Sequence, residues 1–116
     1  MREFQVPFHI TGTLAANVSI VWTAPFDCQL VHVSAVGSNA NSGLLTIGNT
    51  TTADAYLTSA SIGDSNVPVE FARANFVGTE FPHIADGTVL AVALDYDGAG
   101  GTATANFTVV LTFTVG

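Results

Sequence analysis

Apolar residues recur at every second position in most of this chain, and no segment longer than one turn repeats with the 3.6-residue spacing of a helix. Side chains alternate between the two faces of a strand, so this pattern restricts the chain to sheets that each bury one face. Phe4, Val6, Phe8 and Ile10 alternate with Gln5, His9 and Thr11. Pro7 interrupts the polar set and marks an edge strand, because it has no N–H to give to a ladder. Val18, Ile20 and Trp22 continue the pattern, and Ala24-Pro25-Phe26-Asp27 breaks it. Cys28–Val36 places Val31, Val33 and Ala35 on one face and Leu30 and Val36 on the other, as in a central strand.

Further along, Gly37–Ser42 is a loop by composition, Leu44–Ile47 a short strand and Gly48–Ala55 a Thr-rich connection. Tyr56–Ile62 fits a short strand or a single helical turn. Val67, Val69 and Phe71 are in phase for a strand after the turn at 63–66. Arg73–Gly87 is the least regular stretch. Thr88–Tyr96 and Thr102–Val115 are strands, the second with Phe107, Val109, Leu111, Phe113 and Val115 on one face and Thr108, Thr112 and Thr114 on the other. The Gly-rich turn Asp97–Gly101 between them predicts a hairpin. Seven to eight short strands, with turn signals about every 8–12 residues, predict an all-β antiparallel β-sandwich, a jelly roll or another Greek key. The 116 residues form one domain on this reading, with residues 1–10 as an N-terminal arm or an edge strand.

Charge narrows the function. Only 9% of the residues are charged, against about 25% in an ordinary soluble domain. Lysine is absent, and Arg2 and Arg73 face nine acids, for a net charge of −7. The surface must therefore be built largely of Thr, Ser, Asn, Ala and Gly, a surface suited to packing against other subunits. Two separated arginines make no basic patch, which argues against nucleic acid and against anionic lipid as partners. No apolar run approaches the roughly 18 residues of a membrane-spanning helix, and the first residues lack the apolar core of a secretion signal.

No catalytic, cofactor or metal site is expected. His9, His32 and His83 are far apart in sequence, and none is spaced with another ligand as a zinc site requires. Asp95 and Asp97 precede a Gly turn, but no acid follows downstream to complete a calcium loop. Asp side chains bonding nearby N–H groups account for that turn. Glu70, Glu80, Asp95 and Asp97 hold carboxyls, yet nothing pairs two of them across a cleft. Ser34 and Ser59 lack the setting of a nucleophile. Cys28 is the single cysteine and reads as a buried, inert thiol. Asn17, Asn49 and Asn106 begin glycosylation-type triplets that arise by chance in a chain this rich in Asn, Ser and Thr. Trp22, Tyr56 and Tyr96 are candidate stacking faces for a sugar, although Trp22 falls in phase with Val18 and Ile20 and reads as core.

The segments LLTIGNTTTADAYL, SIGDSNVPVEF and ADGTVLAVALDYDGAGGTATANFTVVLTFTVG, in that order, resemble the small jelly-roll decoration or cement proteins of tailed-phage heads. The likeness spans roughly residues 28–116 and lies in segment order and composition. It implies a non-enzymatic structural protein of the virion, made in the host cytoplasm and bound to the capsid surface. There it would clamp neighbouring major capsid subunits as a homo-oligomer, a trimer in preference to a dimer. On this reading Arg2, Phe4, Pro7 and Phe8 contact a neighbour through a removable arm, and Arg73, Phe76 and Phe81 form a second contact. The rival reading is a ligand- or carbohydrate-binding module such as a tail or receptor-binding component.

Overall fold

The computed structural model describes residues 2–63 and 65–115. Nine strands follow one another as β1 (Arg2–Thr13), β2 (Val18–Thr23), β3 (Cys28–Val36), β4 (Leu44–Asn49), β5 (Leu57–Ser61), β6 (Val69–Phe71), β7 (His83–Ile84), β8 (Val89–Asp95) and β9 (Ala105–Val115). Two single 3-10 turns, Arg73–Asn75 and Val77–Thr79, separate β6 from β7. One sheet runs β1-β9-β3, with β6 and β7 both on the far side of β3; the other runs β2-β8-β4-β5. Every pairing between these strands is antiparallel.

The pairing is nested. β1 pairs with β9, β2 with β8, β3 with β6 and β7, and β4 with β5. The chain is thus one long antiparallel ribbon rolled over on itself, which is jelly-roll topology. β6 and β7 pair with opposite ends of β3, at Val33–Ala35 and at Cys28–Gln29, and share one strand position. Nine strands therefore fill eight places.

Several sequence expectations change in three dimensions. β8 and β9 do not form the expected hairpin. They lie in different sheets, and residues 96–104 cross between them, with Thr104 N–H donating to the Tyr96 carbonyl at 2.9 Å. Both strands carry large apolar residues on one face, and both faces are buried best when they oppose each other across the core, about 10 Å apart. Leu30 joins Val33 on the core face instead of opposing it. A bulge between Leu30 and His32 inserts a residue and inverts the alternation, so Cys28, Leu30, Val33 and Ala35 all point inward. Tyr56–Ile62 is resolved as strand β5 and not as a helical turn. Val67 lies outside β6 and is 57% exposed.

The core is filled by Phe107, Val109, Leu111 and Phe113 of β9, Leu30 and Val33 of β3, Leu45 and Ile47 of β4, and Leu90, Val92 and Leu94 of β8, all 3% exposed or less. Asn side chains tie the loops at one end. Asn41 Oδ1 accepts from Gly43 N–H at 2.8 Å and from Thr104 Oγ1 at 3.1 Å. Asn39 Nδ2 donates to the Ala103 carbonyl, and Asn39 Oδ1 accepts from Ala105 N–H. Neutral amides thus satisfy the backbone where many proteins use charged groups. Asn17, Asn49 and Asn106 are used likewise, accepting from the N–H groups of Tyr96, of Thr51 and Thr52, and of Gly12.

The two open sides of the sandwich differ. On the β5 and β6/β7 side, Leu57, Ile62, Phe71, Phe76 and Ile84 are all buried. The segment between β6 and β7 seals that side, pinned by Val77 N–H donating to the Tyr56 carbonyl at 3.0 Å. On the β1 and β2 side, Phe4, Val6, Phe8, Ile10, Val18, Ile20 and Trp22 face the core but remain half-exposed.

Candidate interaction surfaces

The outer face of the β1-β9-β3 sheet, with β6 and β7, is a largely polar grid. Its first row is Glu3, Thr114, Gln29 and His83, followed by Gln5, Thr112 and His32. The next rows are Pro7, Val110, Ser34 and Glu70, then His9, Thr108 and Val36. All three histidines of the chain lie on this one face, which register alone brings about. Thr112 and Thr114 are only 9% and 8% exposed although they point away from the core, because neighbouring strands shield them. Gln5 Nε2 donates to Thr112 Oγ1 at 3.3 Å, and His9 Nδ1 lies 2.6 Å from Thr108 Oγ1. His32 Nε2 is 3.1 Å from Glu70 Oε1, with the Glu70 side chain 71% exposed, so solvent weakens that pair.

The outer face of the other sheet is different. Small residues there leave a shallow hollow of about 400 Å³, lined among others by Asn17, Ser19, Thr46, Ser59 and Asp95. None of Trp22, Tyr56 or Tyr96 lines this hollow. Trp22 instead packs with Phe113 at 5.2 Å and Phe4 at 6.2 Å between ring centroids, and so lies at the margin of the core.

The contact residues expected from sequence fall in three places. Arg2, Phe4, Pro7 and Phe8 belong to β1, which pairs with β9 from Arg2↔Val115 to Ile10↔Phe107 and is no free arm. Phe4 stacks on Phe113 at 5.0 Å and meets Phe26 edge-on at 5.4 Å. Arg73 and Phe81 are exposed in the segment between β6 and β7, as is Val77. Phe76 is 3% exposed and packs in the core, so it offers no side chain to a partner; its apolar neighbours in the irregular stretch gave no clue to which aromatic turns inward. Sequence reading missed Val21, which is 58% exposed on β2. The available signal was its phase, since an apolar residue between Ile20 and Trp22 must point outward.

Among the described residues, no three His, Cys, Asp or Glu side chains gather closely enough to hold a metal ion. Burial, followed by the nearby Asp27 carboxylate, pushes the Cys28 thiol above its ordinary pKa, which keeps it protonated. The Asp97 carboxylate is the main cause that raises the Tyr96 phenol.

No protein-family model and no curated protein matches the chain. Among solved structures, it is similar to a chain of the cyanophage Pam1 capsid asymmetric unit, with a TM-score of 0.61 and 13% sequence identity. The match covers 99% of this chain and 84% of that one. At this identity the likeness establishes a shared fold, the two-sheet sandwich already traced through the register.

Proposed function

We propose that this chain is a structural, non-enzymatic protein of a phage particle, bound to the outside of the capsid shell, where it stabilises contacts between major capsid subunits. The observation that carries this reading is the end-to-end fold match to a chain of a cyanophage capsid. The Thr-, Gln- and Ser-rich grid on the β1-β9-β3 sheet, where Glu3 and Glu70 are the only carboxylates in the paired rows, supports it, since such a face packs against protein with little charge to desolvate. The chain acts as a homo-oligomer, a trimer in preference to a dimer, and is made in the host cytoplasm before it joins the shell. Exposed Arg2, Pro7, Arg73 and Phe81, with half-exposed Phe4 and Phe8, are the contacts assigned to neighbours.

Counting copies in purified particles by quantitative mass spectrometry tests this. A number equal to that of the major capsid protein, or a third to a half of it, is expected. A handful of copies would place the protein in the tail. In that case the hollow beside Asn17, Thr46 and Asp95 favours the second reading, a ligand-binding module of a receptor-binding component.

A further inference from the structure

The unsealed side of the sandwich carries a second inference, which rests on the homo-oligomer proposed above and locates its contact. We propose that copies of this chain pack against one another through the β1/β2 edge, each turning that edge toward a shared axis.

Three observations converge there. First, Phe4, Val6, Phe8, Val18, Ile20 and Trp22 are all only partly buried, while on the opposite open side Leu57, Ile62, Phe71, Phe76 and Ile84 are buried and Tyr56, Ala60 and Val69 partly so. The chain closes one side with its own residues and leaves the other to be closed. Second, β1 and β2 are the terminal strands of the two sheets, so both present unpaired backbone on this side. Third, Phe4–Phe26 contains no Asp, Glu, Lys or Arg. Eight of the nine acids are Asp27 and those from Asp54 to Asp97, and the ninth, Glu3, stands at the very start of this edge.

The third point selects the occupant. Two copies that each carry −7 repel over most of their surfaces. The β1/β2 edge is where they can approach with the acids other than Glu3 outside the two edge strands. A basic partner would gain nothing from an uncharged edge, and a second copy loses nothing there. The size fits a weak, concentration-dependent contact. The apolar run Phe4–Ile10 and the six residues of β2 each span roughly 20 Å, and the gap between sheets is about 10 Å. With the two strands themselves the patch covers about 400 Å² per copy, the scale of a transient interface. Pro7 interrupts the outer ladder of β1 and opposes open-ended strand addition, so side chains carry the contact.

Trp22 is the only tryptophan and lies in this edge, so it reports on it directly. The experiment measures mass by sedimentation and Trp22 emission together, on the full chain, from low micromolar to about 1 mM, the weakest affinity worth testing. Mass should rise to two or three times the 11.9 kDa of the chain, and emission should shift to the blue over the same range. Val21→Glu with Thr23→Glu, both at exposed positions on β2, should weaken association by about tenfold or more. Val67→Glu, exposed on the loop before β6, should leave it unchanged, and far-ultraviolet dichroism checks that each variant folds. A monomer at every concentration overturns the proposal. So does association without a Trp22 shift, or association weakened equally by Val67→Glu, because another surface then makes the contact. A monomer whose emission shifts only when empty shells are added also overturns it and assigns the edge to the shell.

Discussion

Gly48 shows how tightly single residues are constrained here. It lies on β4 beneath the β4–β5 connection, and a β-carbon at this position would run into the Thr52 carbonyl oxygen and the Ala53 backbone. These atoms belong to a main chain held by Asn49 N–H donating to Thr52 at 2.9 Å, so they cannot give way cheaply. Gly48→Ala should destabilise the domain by about 1–3 kcal/mol, read as a lowered urea midpoint at unchanged slope. Asn41→Ala removes the acceptor for Gly43 N–H and the donor to the Asn39 and Ile62 carbonyls, and leaves the buried Thr104 hydroxyl with the Tyr96 carbonyl as its one acceptor. A loss of about 1–3 kcal/mol is expected in the same measurement. Cys28 gives a pH signature. Its thiol pKa is raised in the folded state, so the native protein holds a proton that the unfolded chain releases above the ordinary thiol range, near 9.0. Stability is therefore unaffected below that pH and declines as the pH rises through it. Cys28→Ala should flatten the alkaline limb of a melting-temperature profile, and the native thiol should react with a thiol reagent at pH 8 far more slowly than the unfolded one. The Tyr96 phenol, raised mainly by Asp97, acts in the same direction at higher pH.

Among the elements, β1 and the β8–β9 crossover are the most open to test. β1 supplies the ring of Phe4 against Phe113 and covers the margin of the core with Val6 and Phe8. Deleting residues 2–8 should lower stability by several kcal/mol, since it removes the partly buried Phe4, Val6 and Phe8 together with most of the β1–β9 ladder. A melting temperature unchanged by the deletion would mean that β1 is a dispensable arm after all. Replacing Asp97–Gly101 with a two-residue Asn-Gly turn should abolish cooperative unfolding. That turn demands strands paired in one sheet, whereas β8 and β9 belong to opposite sheets. The alternation in β1, β2, β8 and β9 was plain in the sequence, because each of these strands buries one face without interruption. The bulge in β3 was not, because one inserted residue leaves composition unchanged and only inverts the phase of the residues after it.

At the scale of the molecule, the pairing of β1 with β9 joins the two ends of the described chain, from Arg2↔Val115 onward. Such non-local closure makes folding slow, and refolding after dilution from urea is expected in milliseconds to seconds. A microsecond phase carrying the full amplitude would contradict the nested topology. The charge balance also acts globally: with lysine absent and nine acids present, protonating the carboxylates removes the repulsion between copies. Self-association should strengthen as pH falls toward the isoelectric point near 4.3, and at neutral pH as salt is added. The candidate surfaces were legible only in part. A charge-poor exterior followed from composition, but the gathering of His9, His32 and His83 on one face depends on pairing β1, β3 and β7 in one sheet.

Local pattern by itself settled that this protein is an all-β sandwich with a charge-poor, net acidic surface, because alternation and charge content are properties of adjacent residues and simple sums. Tertiary structure alone decided which strands are neighbours, that β8 and β9 part between sheets, and that Phe76 turns inward while Val21 and Phe81 stay exposed. It also decided that one side of the sandwich is sealed and the other is not. Each of these outcomes depends on contacts between residues distant in sequence, whose energy is set by how two sheets bury their apolar faces together and not by any segment on its own.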